Sequence, residues 1–343
     1  MRVYRLVLAL AAAAVVSAPA FPTLAQPGSP AGDRQPVRPA APQKPTDKKN
    51  PELAPTTPEK PAPDGGSGGP KKAKDGVRID LRPKWRQGSV TKFKIDSTAT
   101  SKPRLEGMDE LGRADQTMDH QMVLALTVKQ VQEDGSATVE AKIVSLKMHV
   151  AAGGDDVITF DSSKPASKDD QTGASMRGSV GAPFTIELDS QGNISKVTGA
   201  DMLAGPLAEQ LGSPDAAKNM LGPIFTRSAG DGMAAVGETW MNEDEMSMGP
   251  MGGMKMTTEH KLVSARGGKA VVTITGKLES QSEGMEAALK ITESKYDGRY
   301  VWDTELGMLD EMTMTQGLTM SGEMQGAKMS QSVQSTHKMK RVE

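Results

Sequence analysis

The side chains most able to do chemistry in this chain are few. Histidine occurs four times, at 120, 149, 260 and 337, and cysteine not at all. No two of the histidines share a metal-ligand spacing, so a zinc or histidine-based hydrolytic site would have to be assembled from distant strands. His120 and His260 fall on apolar strand faces, where core or edge histidines with satisfied hydrogen bonds are expected. Ser335-Thr336-His337-Lys338 has the Ser-x-x-Lys spacing of penicillin-recognising enzymes, but it lies in a strand pattern rather than at the start of a helix, and its companion motifs are absent. Gly267-Gly268-Lys269 lacks the upstream glycine and following hydroxyl of a phosphate loop. The acidic runs Asn242 to Glu245, Asp155-Asp156 and Asp169-Asp170 lack the spaced oxygen register of a calcium loop and read as solvated charge.

Methionine is the unusual resource, with 23 residues against an aromatic content of 3%. Met246, Met248, Met251, Met254 and Met256, with Met241, crowd around Gly249-Pro250 and Gly252-Gly253. Thioethers are soft ligands that select Cu(I), so this hairpin is a weak copper candidate. The competing reading is methionine as a filler of irregular apolar space, since Met312, Met314, Met320, Met324 and Met329 are as dense in ordinary strand patterns. No cofactor is expected.

The elements that must position these residues are mostly strands. Val77, Ile79 and Leu81 alternate, Trp85 to Gly88 turns, and Val90, Phe93 and Ile95 mark a second strand, followed by a loop over 102–115. Residues 116–132 form the longest pattern, with Met118, His120, Met122, Leu124, Leu126 and Val128 on one face. Asp134-Gly135 suits a tight hairpin. In the returning strand Ala137, Val139, Ala141 and Ile143 face inward, and a phase change to Val144, Leu146, Met148 and Val150 predicts a β-bulge. Ile158 to Phe160 is a short strand, 162–180 a polar loop, and Phe184, Ile186 and Leu188 a strand before the turn 189–193.

Near 200–228 the period becomes helical: Met202, Leu203, Leu207 and Leu211 in one short helix, then Ala217, Met220, Leu221, Ile224 and Phe225 after Ser213-Pro214-Asp215. Gly222-Pro223 should kink or end the second helix. Val236-Gly237-Glu238-Thr239-Trp240 returns the chain to strands. These carry Met256, His260 and Leu262, then Ala270, Val272, Ile274 and Leu278, then Met285 to Ile291. A turn at Tyr296 to Arg299 follows, and the last two strands carry Met312 to Met320 and Met329 to Met339. The fold expected is α+β: a strongly curved, half-barrel-like antiparallel meander of about a dozen strands with two short helices packed across it.

Three segments are expected. Arg2 and Arg5 before the apolar run Leu6 to Val16, with small residues up to Ala25, have the layout of a signal peptide over 1–25. An uncleaved anchor is the alternative, although Pro19 and Pro22 close the run short of the roughly 20 residues a bilayer needs. Residues 26–76 hold 12 prolines among polar residues and read as a disordered linker. The folded domain is expected over 77–343. Leader and linker are net basic, so the domain is more acidic than the total of −2, which argues against nucleic acid and anionic membrane surfaces.

Lys84-Trp85-Arg86-Gln87-Gly88, Asp134 to Val139, Phe160-Asp161-Ser162, Asp189 to Ile194 and Val236 to Trp240 together resemble an uncharacterised family of exported, often lipid-anchored bacterial proteins, a domain of unknown function. The chain departs from that pattern in lacking the lipidation cysteine. Its strand, helix, strand plan is also similar to the half-barrels of periplasmic lipoprotein carriers. The expectation is an exported, non-enzymatic protein of the periplasm, envelope or extracellular space. It would hold an acyl chain, lipid or apolar protein segment in a pocket of Leu124, Leu126, Leu203, Leu207, Met220, Ile224, Met312 and Met314. The alternative is a structural envelope protein with a closed methionine-rich core that meets another envelope protein, and the third reading is Cu(I) binding through the hairpin.

Overall fold

The computed structural model describes residues 77–105, 114–165, 171–203, 211, 214–225, 231–247, 253–280, 290–324 and 327–343. The signal peptide, the linker, Leu207, Met248, Met251 and Met285 to Leu289 lie outside them.

Antiparallel strands dominate. In chain order they are β1 (Arg78–Asp80), β2 (Val90–Leu105), β3 (Gln116–Val131), β4 (Ala137–Ala152), β5 (Asp155–Asp161), β6 (Pro183–Leu188), β7 (Ile194–Thr198), β8 (Met233–Ala235), β9 (Thr239–Ser247), β10 (Gly253–Arg266), β11 (Lys269–Ser280), β12 (Lys290–Asp303), β13 (Met308–Met324) and β14 (Ala327–Val342). Two α-helices are described, α1 (Gln171–Ser179) and α2 (Pro214–Phe225). No described helix is long and apolar enough to cross a membrane.

Among the described residues twelve strands form one sheet that does not close into a barrel, in the order β7-β6-β4-β3-β2-β14-β13-β12-β11-β10-β9, with β5 on β4. It consists of two meanders joined along β2 and β14, from Met329 opposite Leu105 to Val342 opposite Lys92. Val77 to Leu81 does not start the meander: β1 pairs instead with β8, Ile79 opposite Ala234, in a separate two-stranded sheet. After β1 the chain leaves toward the Arg86 to Ser89 turn before entering β2.

The long strands alternate as their patterns predict. Every even residue from Met118 to Val128 is buried in β3. The β4 bulge is present, but Val144 is the extra residue and is exposed, because Val123 pairs with Ser145 and Leu124 with Ile143. It lets β4 change partner, from β6 along 137–142 to β5 along 147–152. At the following hairpin the Asp134 carboxylate accepts from the Ser136 N–H, and Gly135 takes φ 85°.

Five local expectations are corrected. The strand β2 runs on through 102–105, held by its ladder to β14 despite Pro103. The polar stretch 162–180 contains α1, whose helical spacing is hidden because Met176 is its large buried apolar residue. Arg177 anchors it, donating to the Ser162 carbonyl and lying 5.3 Å over the Phe160 ring. Ala200 to Met202 is a 3-10 turn with Met202 exposed, not one face of a longer stripe. The helix α2 continues through Pro223 and ends two residues later at Phe225.

Tyr296 to Arg299 is not a turn. It runs inside β12, with Gly298 opposite both Ile274 and Met314, and the reversal comes at Thr304 to Gly307. A β-carbon on Gly298 would collide with Met314 Sδ, so this glycine serves close packing.

Candidate functional site

One face of the sheet carries the core. At the end nearest α2, Phe93, Leu124, Leu146, Tyr300 and Trp302 are fully buried with Leu221, Ile224 and Phe225 of the helix. At the far ends of β10, β11, β13 and β14, Met254, Leu278, Leu318, Met320 and Val333 form a second, smaller cluster.

Seven of the eight residues expected to line an apolar pocket are described. Leu124, Leu126, Leu203, Ile224, Met312 and Met314 are buried members of the main core, and Met220 packs against it partly buried. The opening among them is small: Leu126 and Ile224, with Trp85, Thr91, Val128, Val139, Phe225 and Met308, line a cavity of about 10 Å³. That is space for about one water molecule. Phe225 closes it, edge-on to Trp85 at 5.9 Å.

The methionine hairpin is in part a core element. Met254 is buried in the second cluster, Met256 packs against it, and Met246 pairs with Met254 across β9 and β10. Ser335 and Lys338 point to opposite faces of β14, which removes the Ser-x-x-Lys reading.

Between the two clusters the strand registers align a row of polar and methionine side chains. Met148 faces His120, His120 faces Ser97, Ser97 faces His337, and His337 faces Met314. Beyond Gly298 and Ile274 the row reaches His260 and Trp240. Three of the four histidines thus share one line across the sheet. His149 is on the other face, exposed, with Nε2 2.9 Å from Asp156, whose carboxylate raises its pKa.

The three inner histidines differ. His260 stacks on Trp240 at 5.4 Å and has Nε2 3.1 Å from Thr258 Oγ1, so it is a core histidine with one ring nitrogen partnered. His337 Nδ1 lies 2.9 Å from Ser97 Oγ, and burial pushes its pKa down to about 4. Ser97 is buried and His337 partly buried, so the hydroxyl of this pair is not presented to solvent.

His120 departs from expectation. It is 2% exposed and neither ring nitrogen meets a hydrogen-bond partner among the described residues. Burial, then the neighbouring His337, push its pKa down to about 4 against a weaker opposing pull from Asp96, so it is neutral at pH 7. Alternation alone places His120 inward; its lack of partners depends on cross-strand neighbours that the sequence does not reveal.

Among the described residues no group of three His, Asp or Glu could hold a metal ion. Among the described residues Asp303 is the buried carboxylate. Asp303 accepts from Lys269 at 2.7 Å, Arg341 at 2.9 Å and the Leu306 N–H at 3.0 Å. Burial pushes its carboxyl up, but these donors outweigh that and hold it down at about 2.

Solved structures align over much of the chain at low similarity. DynF from the dynemicin biosynthesis pathway of Micromonospora chersina aligns over 81% of this chain and 92% of its own, at 8% identity and a TM-score of 0.17. OccK5 (OpdH) of Pseudomonas aeruginosa aligns over 74% and 98%, at 8% identity and a TM-score of 0.21. Values that low assign no common fold. No curated protein matches the chain. Residues 134–235, from the β3 to β4 turn to the end of β8, match the model of a family of unknown function (DUF6263), the kind of relative that the pieces at 134–139, 160–162 and 189–194 resemble.

Proposed function

We propose that the chain is an exported, non-enzymatic binding protein whose guest, an acyl chain or an apolar protein segment, lies between the inner face of a curved sheet and α2. One observation carries the reading. Val139 of β4, Leu126 and Val128 of β3, Thr91 of β2, Met308 of β13 and Ile224 and Phe225 of α2 converge on a single small cavity. In a flat sheet β4 and β13, four places apart, would stand ~19 Å from each other. Their meeting at one cavity supports a sheet rolled toward the helix, with α2 across its concave side.

At about 10 Å³ the cavity is a nucleus for a guest site and not a finished one. A guest has to lift the end of α2, where Pro223 removes a helix hydrogen bond within a turn of Phe225. Methionine around the face, at 312, 314, 122 and 339, supplies unbranched side chains that repack around varied apolar shapes.

The same small volume favours a second reading, a structural envelope protein whose core is already closed. Titration of a fluorescent fatty acid into the full chain separates them. The binding reading expects saturation at one site per chain and weaker binding in Leu126→Trp with the melting temperature retained. The closed-core reading expects no saturable binding in the parent. Unchanged affinity in Leu126→Trp would place any probe elsewhere on the surface.

A further inference from the structure

We infer that His120, Met118, Met122 and Met148 form a buried copper(I) site, separate from the methionine hairpin and from the cavity beneath α2. Their placement comes from the ladder. Met148 is the direct partner of His120 across β3 and β4, and Met118 and Met122 flank it two residues away on the same strand and face. Neighbouring strands are ~4.8 Å apart and alternate residues ~6.8 Å apart. Three thioethers and one imidazole therefore start within about 7 Å of a common centre, a distance that their side chains span.

Burial, unpartnered ring nitrogens and ligand type point to the same ion. All four residues are at most 5% exposed, which shields the thioethers from competing water. Neither ring nitrogen of His120 meets a hydrogen-bond partner among the described residues, so one is available to coordinate. Leaving both nitrogens of a buried imidazole without a partner carries a desolvation cost that metal ligation would offset. A methionine-packed core has no need of the histidine; leucine would fill that position without the loss.

The donor set is soft and carries no charge. Thioether sulfur selects Cu(I), whereas Mg²⁺, Ca²⁺ and Mn²⁺ need several oxygen ligands, and the buried Ser97 hydroxyl opposite His120 is paired with His337. With no anionic ligand in the set, a monovalent ion is desolvated at lower cost than a divalent one. The chain has no cysteine, so sulfur ligation can come only from methionine.

The test is an anaerobic Cu(I) titration of the full chain against a chromophoric Cu(I) chelator, with Ag(I) as a redox-inert surrogate and X-ray absorption to count sulfur and nitrogen neighbours. The expected result is one equivalent bound with sulfur-dominated ligation and nitrogen in the first shell. His120→Leu, and separately Met118→Leu/Met122→Leu/Met148→Leu, should weaken binding more than the roughly 10–100-fold that loss of an outer-shell partner costs. Methionine to leucine is close to volume-conserving, so melting without metal should show that the triple variant folds. The hairpin variant Met246→Leu/Met248→Leu/Met251→Leu/Met254→Leu should bind as the parent does. A parent that does not compete with the chelator overturns the site, as does affinity that survives both His120→Leu and the triple variant. Loss only in the hairpin variant would move copper to the hairpin. None of these results depends on whether a fatty acid binds under α2.

Discussion

The two ends of the buried face are built by different means. Toward α2 the core uses large, fully buried side chains, Phe93, Phe184, Tyr300 and Trp302, closed by Leu221, Ile224 and Phe225. The far end uses Met254, Leu278, Leu318, Met320 and Val333, without an aromatic among its buried members. Between them runs the histidine row, where Met314 needs Gly298 opposite it to fit. The difference teaches that the sheet is held at one end by shape-specific packing under a helix and at the other by adaptable side chains. Polar groups are buried at the boundary.

Deletion of bulk tests that contrast most severely. Phe225→Ala removes the ring that closes the cavity and meets Trp85, and should cost about 3–5 kcal/mol in a denaturant titration. Met320→Leu in the far cluster should cost less than about 1.5 kcal/mol, as volume-conserving swaps do. Equal losses would mean that the two ends are packed alike.

Addition of bulk probes the row itself. Gly298→Ala should destabilise by about 1–3 kcal/mol, because the new methyl meets Met314 Sδ and the Thr313 carbonyl. Gly317→Ala, whose added carbon meets nothing within 4 Å, is the control and should be near neutral. Recovery of Gly298→Ala by Met314→Ala would locate the clash.

The helix end also contains the buried carboxylate. Asp303 titrates near 2 in the folded chain and near 3.8 when unfolded, so its contribution is complete above pH 4 and is lost as pH falls toward 2. About 2 kcal/mol should disappear over that window. Asp303→Asn should flatten this acid limb while lowering stability at pH 7. An unchanged acid limb in the variant would assign it to other carboxylates.

The smallest effect is expected at His120. Without metal, His120→Leu should be neutral or stabilising by up to ~1 kcal/mol, since an unpartnered buried imidazole is exchanged for an apolar side chain. His260→Leu, which loses the stack on Trp240 and the contact with Thr258, should be clearly destabilising. A loss at His120 as large as that at His260 would show that its nitrogens are satisfied in solution.

What the sequence determined by itself was local. Period-two alternation assigned the buried face of β3, β6 and β11 residue by residue, because a strand with one face in the core has no freedom to slip by one. Asp134-Gly135 and Asp189 to Asn193 marked their turns through side-chain capping and positive φ, both properties of a few adjacent residues. The same local signs misled at Tyr296 to Arg299, where Asp297-Gly298 looks like a turn but is kept extended by ladders on both sides. Only the tertiary structure decided that β2 pairs with β14, since two strands more than two hundred residues apart carry no pairing signal in their own patterns. That pairing sets His120, Ser97 and His337 side by side, so the row was beyond reach of any reading that stopped at single strands. Alternation says which face a side chain takes, whereas its neighbours on that face depend on strand order and register.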